Sequence, residues 1–332
     1  MKIYFISPNP LWGGAATANI SISQMLATEH DVIYNDEYNK LDIESVTYDP
    51  YPVHKYKNSN KLFNYLVNNQ IDWVIWGNAN VIPYYKSLIN KLSGANIKQC
   101  VLFHSLSLSR TIKGMLMEWL ISRSLKGIEH LVFVSKYTDL SWSKYKTVRD
   151  HHNHHVIYNP INIVQNRINT DKHRVGYVGR FSEEKQPEVF ARISELDRKN
   201  RYIAWGEGKL LNEIKSKYPK VVLKGHSSRQ DEIYGSFDIL VMTSVFENCP
   251  MVILEAWKYG IPCVVPNVGG IPELVKNNYN GILYDGYNEE DILSGIGVIQ
   301  QNYAFYSQNC LETVRNYSFE SIKSMWNKII NC

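Results

Sequence analysis

The chain has 332 residues, of which 44% are hydrophobic and 20% charged, and its formal net charge is +4 at pH 7. This length predicts two domains of roughly 150 residues, each large enough for its own core, and the composition excludes a disordered or fibrous chain. The small positive charge permits an anionic ligand or a membrane surface. The sequence contains no basic stripe of the kind that a nucleic-acid surface requires.

Five cysteines, an odd number without a Cys-x-x-Cys pair, predict neither a disulfide framework nor a zinc site and are typical of a reducing compartment. Near the N-terminus, Pro8, Asn9 and Pro10 interrupt the apolar run after about six residues, fewer than an export signal needs. No segment approaches the run of about eighteen apolar residues that spans a membrane. We therefore expect a cytoplasmic protein.

The first half of the chain alternates short apolar runs with segments of helical spacing. The candidate strands are KIYFISP, DVIYN, DWVIWG, QCVLFH, HLVFVS and HHVIYNP. Helical spacing is clearest in segments 16–28, 60–69 and 110–127. This alternation predicts an α/β fold, with a parallel sheet covered by helices on both faces.

The second half repeats the alternation. Its candidate strands are RVGYVGRF, YIAWGEG, VVLKGH, DILVMTS, PCVVPN and GILY. Segment 160–173 is polar, contains a proline and lacks a period, so we interpret it as the linker between two domains. In doubly wound sheets, ligands bind beyond the carboxyl ends of the strands, and the candidate site residues below all follow predicted strands or begin helices there.

Two glutamates separated by seven residues stand in the run ENCPMVILEAWKYGIPCVVPNVGGIPELV. Glu247 is in a predicted loop, and Glu255 lies inside a helix that the sheet would bury. Burying a carboxylate is costly unless a partner hydrogen-bonds to it. A ligand with hydroxyl donors would be such a partner, and a structural glutamate bonded to the backbone is the alternative.

The same run resembles the nucleotide-sugar-binding signature of the retaining glycosyltransferases with two Rossmann-like domains (the GT-B fold), in particular the group called family 4. The features that carry the resemblance are the spacing of the two glutamates, Pro250, Leu254, Glu255, Ala256, Gly260, Pro262 and GGIPELV at 269–275. Segment 178–190, VGRFSEEKQPEVF, resembles the Gly-Arg-(apolar)-x-x-x-Lys element of the same family. The resemblance covers the C-terminal half closely and the N-terminal half loosely.

The resemblance implies two Rossmann-like domains that face each other across a cleft. Residues 1–160 would form the acceptor-binding domain, and residues 174–317 would form the nucleotide-sugar-binding domain. A last helix within 318–332 would pack back on the first domain.

The resemblance also implies that Arg180 and Lys185 bind the donor diphosphate. The charge of this leaving group rises as the sugar bond breaks, and fixed cations that stabilise it can replace a metal ion. In the alternative reading, both are surface residues in weak exposed ion pairs with Glu183 and Glu184.

For the two carboxylates, the resemblance assigns Glu255 to the ribose hydroxyls of the nucleotide and Glu247 to hydroxyls of the donor sugar. The further positions at which donor binding is implied are Asn248, Cys249, Pro250, Met251, Val252, Gly225 and His226. Backbone amides of this helix start would point at the sugar and phosphate. Asn248 stands where the family commonly has Gly or Ser, which leaves the donor sugar open.

Gly13 and Gly14 follow the first strand and open the first helix, where small residues let backbone amides approach a phosphate. The run GGAATA lacks the G-x-G-x-x-G spacing, which disfavours a nicotinamide dehydrogenase. As a glycine pair facing the donor diphosphate it resembles the family, and a plain tight turn is the alternative. His104 ends the strand QCVLFH, where relatives carry a His or Asp close to the reacting sugar. We expect a catalytic or acceptor-orienting role, against a satisfied loop histidine.

The histidine cluster DHHNHH at 150–155 is a candidate metal site. Its histidines lie beside a predicted strand and on alternating faces, and the fold implied by the resemblance works without a metal. We therefore expect no metal site.

Segment 110–127 combines apolar and basic residues in a helical pattern. The apolar residues toward one side are Ile112, Met115, Leu116, Trp119, Leu120 and Leu125, and the basic ones around them are Arg110, Lys113, Arg123 and Lys126. Such a helix could rest on an anionic membrane, where lipid-linked acceptors are found. It could also be a core helix of the first domain.

We therefore predict a retaining, metal-independent glycosyltransferase of glycan or polysaccharide biosynthesis. It would move a sugar from a nucleotide-diphosphate sugar to a hydroxyl of a glycan, lipid-linked or other acceptor, without a further cofactor. The protein would be cytoplasmic, and peripheral contact with the inner face of a membrane is one of the two interpretations of segment 110–127. One alternative is a nucleotide-sugar epimerase of the same fold, which needs titratable groups that the sequence does not identify. The other is a non-catalytic nucleotide-sugar-binding subunit, which would have lost the cations and carboxylates that are present here.

Overall fold

The computed structural model describes residues 1–7, 13–36, 46–49, 60–109, 111–163, 173–286 and 288–331. Arg110, the prolines at 8 and 10, and most of the predicted linker lie outside these residues. Backbone proximity divides the chain into two compact units. The first comprises Met1–Asn162 with Phe319–Cys332, and the second comprises Ile163–Ser318.

The first unit contains a parallel sheet of seven strands. They are β1 (Lys2–Ser7), β2 (Asp31–Asp36), β3 (Thr47–Asp49), β4 (Trp73–Trp76), β5 (Lys98–Phe103), β6 (His130–Phe133) and β7 (His154–Val156). Their order across the sheet is β3-β2-β1-β4-β5-β6-β7, and all described pairs are parallel. All six strands predicted in this half are present. Strand β3 was not predicted, because three residues are too few to show a period.

The helices of the first unit lie between these strands in the chain, except for the last one. They are α1 (Gly14–Leu26), α2 (Asn60–Asn68), α3 (Ile82–Gly94), α4 (Ile112–Arg123), α5 (Lys136–Trp142), α6 (Lys146–Arg149) and, at the end of the chain, α14 (Phe319–Ile330). A short 3₁₀ turn, Ala79–Val81, precedes α3. The three helices predicted from spacing are confirmed, with ends that differ by a few residues.

Both faces of this sheet are buried. Alternate side chains of β1 divide between two apolar clusters, with Ile3 and Phe5 in one and Tyr4 and Ile6 in the other. The cluster around Ile3 and Phe5 includes Trp326 of α14, so the last helix completes the core of the first unit. A parallel strand covered on both faces is apolar at nearly every position, which is why the apolar run in the sequence predicted β1.

The second unit contains a parallel sheet of six strands. They are β8 (Arg174–Val178), β9 (Arg201–Trp205), β10 (Val221–Gly225), β11 (Ile239–Val241), β12 (Cys263–Pro266) and β13 (Gly281–Tyr284). Their order is β10-β9-β8-β11-β12-β13, again with parallel neighbours. All six strands predicted in this half are present.

Seven helices belong to the second unit. They are α7 (Pro187–Leu196), α8 (Leu211–Lys217), α9 (Gln230–Tyr234), α10 (Met251–Lys258), α11 (Ile271–Leu274), α12 (Glu289–Gln301) and α13 (Tyr303–Thr313). The predicted class, an α/β chain with two Rossmann-like parallel sheets, is confirmed.

In each sheet the strand order reverses at one place. In the first unit the reversal lies between β1 and β4, and in the second it lies between β8 and β11. The helices that follow the two strands at such a place leave to opposite faces, which opens a crevice at the carboxyl edge. The residues that follow these four strands are therefore the first place to look for a site.

Candidate functional site

Lys185 and Glu247 form an ion pair at the carboxyl edge of the second sheet, with Lys185 Nζ 2.5 Å from Glu247 Oε1. Lys185 ends a 3₁₀ turn that follows β8, and Glu247 lies in the loop that follows β11. The strand order reverses between these two strands. The pair therefore lies where doubly wound sheets bind their ligands.

The carboxylate of Glu247 is positioned by its neighbours. Ser244 Oγ donates a hydrogen bond to the same oxygen, Oε1, at 2.7 Å. The amide of Gly270 donates to the Glu247 carbonyl oxygen at 2.9 Å. Gly269 has φ +59°, and a Cβ there would lie 2.0 Å from that carbonyl oxygen. Glycine at position 269 is thus needed for the close backbone contact that holds the Glu247 loop.

The turn that carries Lys185 is fixed to the end of β11. Thr243 Oγ1 lies 2.9 Å from the carbonyl oxygen of Lys185 and 2.8 Å from that of Gln186, and its hydroxyl donates to them. The amide of Val245 donates to the Glu184 carbonyl oxygen at 2.9 Å. The backbone positions of Lys185 and Glu247 are therefore coupled by bonds that do not involve the ion pair.

Arg180 lies just beyond β8 and is exposed. Its Nη1 is 3.6 Å from Glu184 Oε1, an exposed ion pair of the weak kind. Tyr177 OH donates to the Arg180 carbonyl oxygen at 2.9 Å, so the backbone is held while the guanidinium extends into solvent. Such a guanidinium can bind an anion at little cost, because few protein contacts must be exchanged.

Two glycines of the strand-end run YIAWGEG pack against the loop that carries Arg180. A Cβ at Gly206 would lie 1.9 Å from the Gly179 carbonyl oxygen, and one at Gly208 would lie 2.4 Å from that of Phe181. Both glycines have positive φ, +129° and +153°. The loop after β9 thus supports the backbone on either side of Arg180.

Glu255 is buried in α10 and has protein partners. Tyr234 OH donates to its Oε2 at 2.5 Å, and Gln230 Nε2 donates to its Oε1 at 3.1 Å. Burial raises the pKa of Glu255 above its usual value, and these donors oppose the effect. Lys258 Nζ donates to Gln230 Oε1. The buried carboxylate of Glu255 therefore has protein partners, because α9 supplies two donors that the sequence did not reveal.

Helix α10 begins directly after the Glu247 loop. Its cap residue is Pro250, with φ −69° and ψ 116°, and no side chain caps its amides. Its first turn, which includes Met251 and Val252, contains no acidic residue. Asn248 is half-buried and Cys249 is buried in the loop before the cap. This end is a helix N-terminus of the kind that attracts an anion.

The described cysteines are buried thiols that form no disulfide with one another: Cys100, Cys249, Cys263 and Cys310. Burial raises the pKa of Cys263 to about 12, which keeps its thiol protonated and unreactive. Cys332 lies outside the described residues.

Gly225 and His226 lie apart from the ion pair. Gly225 ends β10, the edge strand, and has φ +73°. Strand β10 is separated from β8 by β9, which corresponds to roughly 10 Å at the usual strand spacing. The structure therefore places these two predicted donor residues along the same carboxyl edge but not beside Lys185 and Glu247.

In the first unit, Gly13 and Gly14 open α1 as expected. Gly13 caps the helix in an extended conformation, φ 175°, which any residue can adopt. A Cβ at Gly14 would meet nothing within 4 Å. Packing inside the unit therefore does not require glycine at position 14.

His104 follows β5 and makes a hydrogen bond to α1, with Nε2 2.9 Å from Asn19 Oδ1. Burial lowers the pKa of His104 to about 4, so its imidazole is neutral at pH 7. Asn19 was missed in the sequence analysis. Its signal was a large polar residue on the buried side of a helix whose other buried residues are Ala, Ile, Met, Leu and the small Ser23.

The histidine cluster has protein partners. His154 Nε2 lies 2.5 Å from Asp139 Oδ1, His155 Nε2 lies 3.0 Å from His130 Nδ1, and His151 Nε2 lies 3.1 Å from a backbone carbonyl oxygen. Burial is the largest cause that lowers the pKa of His130, to about 4. Over the described ranges, no group of three His, Cys, Asp or Glu residues is arranged to hold a metal ion.

Helix α4 turns its apolar side toward solvent, whereas a core helix would bury that side. Of the six apolar residues that the sequence placed on one side, Leu125 lies beyond the helix and is buried, and the other five are exposed, at 83% for Ile112, 54% for Leu116 and 47% for Trp119. Its buried residues are Glu118, Ile121 and Ser122. The core-helix alternative is therefore wrong for this face.

The inward face of α4 is built around the carboxylate of Glu118. Its four donors are Ser107 Oγ at 2.8 Å, Ser109 N at 2.9 Å, Lys144 Nζ at 3.0 Å and Tyr145 OH at 3.1 Å. These bonds hold the helix with its apolar side outward. In the part of the chain that the structure describes, no helix is long and apolar enough to cross a bilayer.

Comparison with known proteins finds relatives of the second unit. Residues 159–307 match the family model described as glycosyl transferases group 1. Over 154 residues the chain is 27% identical to UDP-Gal:alpha-D-GlcNAc-diphosphoundecaprenol alpha-1,3-galactosyltransferase of Escherichia coli, a match that covers 42% of this chain and 40% of that protein. Over 119 residues it is 28% identical to granule-bound starch synthase 1 of Zea mays, covering 32% and 20%. The matches thus span less than half of either relative.

The whole chain also resembles a solved structure. Anabaena Alr3699/HepE in complex with UDP superposes with a TM-score of 0.83 at 15% identity, covering 100% of both chains. At this identity the likeness shows the fold. The predicted resemblance is confirmed: the chain has the GT-B fold, and most of its second unit matches the family model of glycosyl transferases group 1.

Proposed function

We propose that this chain transfers a sugar from a nucleotide-diphosphate sugar to an acceptor hydroxyl, with retention of anomeric configuration and without a metal ion. The observation that carries the proposal is the Lys185–Glu247 ion pair at the strand reversal, 2.5 Å between Nζ and Oε1. Arg180 follows β8, the strand that also leads to Lys185. The ion pair lies within the segment matched by the glycosyl transferase family.

In this reaction the bond between the anomeric carbon and the diphosphate oxygen breaks, and a bond to the acceptor oxygen forms on the same face. Arg180 and Lys185 stabilise the charge that develops on the departing diphosphate. The departing phosphate oxygen takes the proton of the acceptor hydroxyl. Glu247, held by Ser244, accepts hydrogen bonds from hydroxyls of the donor sugar. The sugar passes through an oxocarbenium-like state.

Glu255 and α10 are assigned to the nucleotide side of the donor. Glu255 accepts two protein hydrogen bonds, and a carboxylate has about four acceptor positions, which leaves capacity for the ribose hydroxyls. The N-terminus of α10, with no acid in its first turn, favours a bound anion. Since HepE was solved with UDP and with UDP-glucose, uridine nucleotides are the first donors to test.

The acceptor is assigned to the first unit, where His104 is the candidate residue that orients it. Gly13 and Gly14 of the same unit keep their assignment to the donor diphosphate. The matched galactosyltransferase of Escherichia coli is named for an acceptor carried on diphosphoundecaprenol. A lipid-linked saccharide is therefore the acceptor class that we propose for this chain.

A screen of nucleotide sugars tests the proposal. We expect UDP-sugars to raise the melting temperature, because a ligand that binds only the folded state stabilises it in proportion to its affinity. Turnover of the stabilising donor should be unchanged by a metal chelator, since Lys185 and Arg180 occupy the electrostatic role of the metal. Loss of turnover on chelation, restored only by manganese or magnesium, would refute metal independence. Stabilisation by no nucleotide sugar would refute the function.

The exposed face of α4 supports peripheral contact with an anionic membrane surface. The apolar residues on this face, defined here as the α4 apolar face, are Ile112, Met115, Leu116, Trp119 and Leu120. The basic residues Lys113 and Arg123 belong to the same helix, and Arg123 lies over the Trp119 ring at 5.7 Å. The only acid of the helix, Glu118, is turned inward. An apolar face with positive charge around it matches a bilayer of anionic lipids.

Vesicle binding tests this contact. We expect the protein to sediment with phosphatidylglycerol-containing vesicles and more weakly with pure phosphatidylcholine vesicles. Replacing Leu116 and Trp119 together by Gln should lower vesicle binding roughly tenfold or more, because burial of each side chain stabilises by about 1.5–3 kcal/mol. The matched control replaces Leu140 and Leu196, which are exposed at 72% and 62% outside this face. Equal binding of both double variants would contradict the assignment, as would concentration-dependent self-association through the α4 apolar face.

A further inference from the structure

Asn19 connects four elements at the carboxyl edge of the first sheet. Its side chain is fully buried in α1. Its Nδ2 donates to Ser7 Oγ at the end of β1 and to the Gly77 carbonyl oxygen after β4, each at 3.0 Å. Its Oδ1 lies 2.9 Å from Nε2 of His104, which follows β5. This junction lies where the strand order reverses, between β1 and β4.

The chemistry of these partners determines which way the amide of Asn19 points. The Gly77 carbonyl oxygen can only accept a hydrogen bond, so the amide nitrogen must face it. Its two protons then go to Gly77 and Ser7. The amide oxygen consequently faces His104, and an amide oxygen can only accept. The proton of that contact therefore belongs to His104 Nε2.

The backbone at Gly77 is shaped to admit this amide. A Cβ at Gly77 would lie 2.6 Å from Asn19 Nδ2 and 2.8 Å from the Ile6 carbonyl oxygen. The amide of Gly77 itself donates to that Ile6 oxygen at 2.7 Å. Any side chain at this position would displace Asn19, so glycine after β4 and asparagine in α1 form one arrangement.

We propose that Asn19 is a positioning residue that keeps the proton of His104 on Nε2 and thereby keeps the imidazole lone pair on Nδ1. This inference rests on the proposed function for its role in transfer, in which His104 orients the acceptor. The neutral state of the ring, held by burial, agrees with it, since a protonated ring would have no lone pair.

The tautomer can be measured without any assay of activity. In protein labelled with ¹⁵N-histidine, long-range ¹H–¹⁵N spectra distinguish a protonated from an unprotonated ring nitrogen, and His104→Gln identifies the signals. We expect His104 to show a protonated Nε2 and an unprotonated Nδ1 at pH 7. A protonated Nδ1, or a mixture of both forms, would overturn the inference whatever the protein catalyses.

Two variants test the role of Asn19 itself. Asn19→Ala should give a mixture of tautomers and lower kcat roughly tenfold or more, with a smaller change in KM. Asn19→Asp places a carboxylate beside Nε2 and should raise the pKa of His104 by about one unit or more, so that transfer is lost at a higher pH as the medium is acidified. An unchanged tautomer in Asn19→Ala, with the fold retained by melting temperature, would overturn the inference. Absence of transfer by the unmodified protein would refute the proposed function and leave the tautomer result standing.

Discussion

Replacing Lys185 by alanine is expected to lower turnover by a factor of roughly 100 or more, because the leaving diphosphate loses a fixed cation. Arg180→Ala is expected to act in the same direction and by a similar factor. Steady-state turnover of the donor identified by the nucleotide-sugar screen measures both effects.

The two variants differ in what they do to the fold. Removing Lys185 leaves the buried carboxylate of Glu247 with Ser244 as its remaining described side-chain donor, so Lys185→Ala is expected to melt at a lower temperature. Arg180 is exposed and makes only a long ion pair, so Arg180→Ala should retain stability. Lys217→Ala is the matched control, because it breaks an exposed ion pair in which Lys217 Nζ lies 2.6 Å from Glu188 Oε1. Near-normal turnover in folded Arg180→Ala and Lys185→Ala would refute the assignment of the diphosphate site.

The two glutamates are expected to separate in binding experiments, because their proposed partners lie at different ends of the donor. Glu255→Gln should weaken binding of the free nucleoside diphosphate and of the intact donor alike, roughly tenfold or more, since both contain the ribose. Glu247→Ala should leave the free diphosphate bound nearly as well and reduce transfer, because its partner is the sugar. Its backbone bond to Gly270 does not depend on the side chain, so the loop should keep its shape.

Calorimetric titration of both variants with the nucleoside diphosphate and with a non-hydrolysable donor decides between the outcomes. The ion pair makes the expected result for the diphosphate more specific. Glu247→Ala removes the carboxylate that holds Lys185, so the lysine can interact with the diphosphate. Binding of the diphosphate should therefore be retained or strengthened in that variant. If Glu247→Ala loses the bare diphosphate as severely as Glu255→Gln does, the division is wrong and Glu247 has a structural role.

The sequence alone determined all but one of the described strands and the resemblance of the second unit to a glycosyltransferase family. Twelve strands were readable because parallel strands buried on both faces are apolar at nearly every position. The family signature was readable because its glycines and glutamates are spaced along a continuous stretch. Gly269 illustrates the reason: the close approach to the Glu247 backbone requires glycine at a set distance along the same loop.

Only the tertiary structure decided which side chains meet. Lys185 and Glu247 are 62 positions apart and face each other because β8 and β11 are neighbours in the sheet. Packing of distant elements also brings Tyr234 and Gln230 to Glu255. It likewise brings Asn19 to His104, which lies 85 positions further along the chain. The sequence also could not show which face of α4 turns inward. A helical period shows which residues share a face, but whether that face or the Glu118 side turns inward depends on donors from other elements, which no local pattern contains.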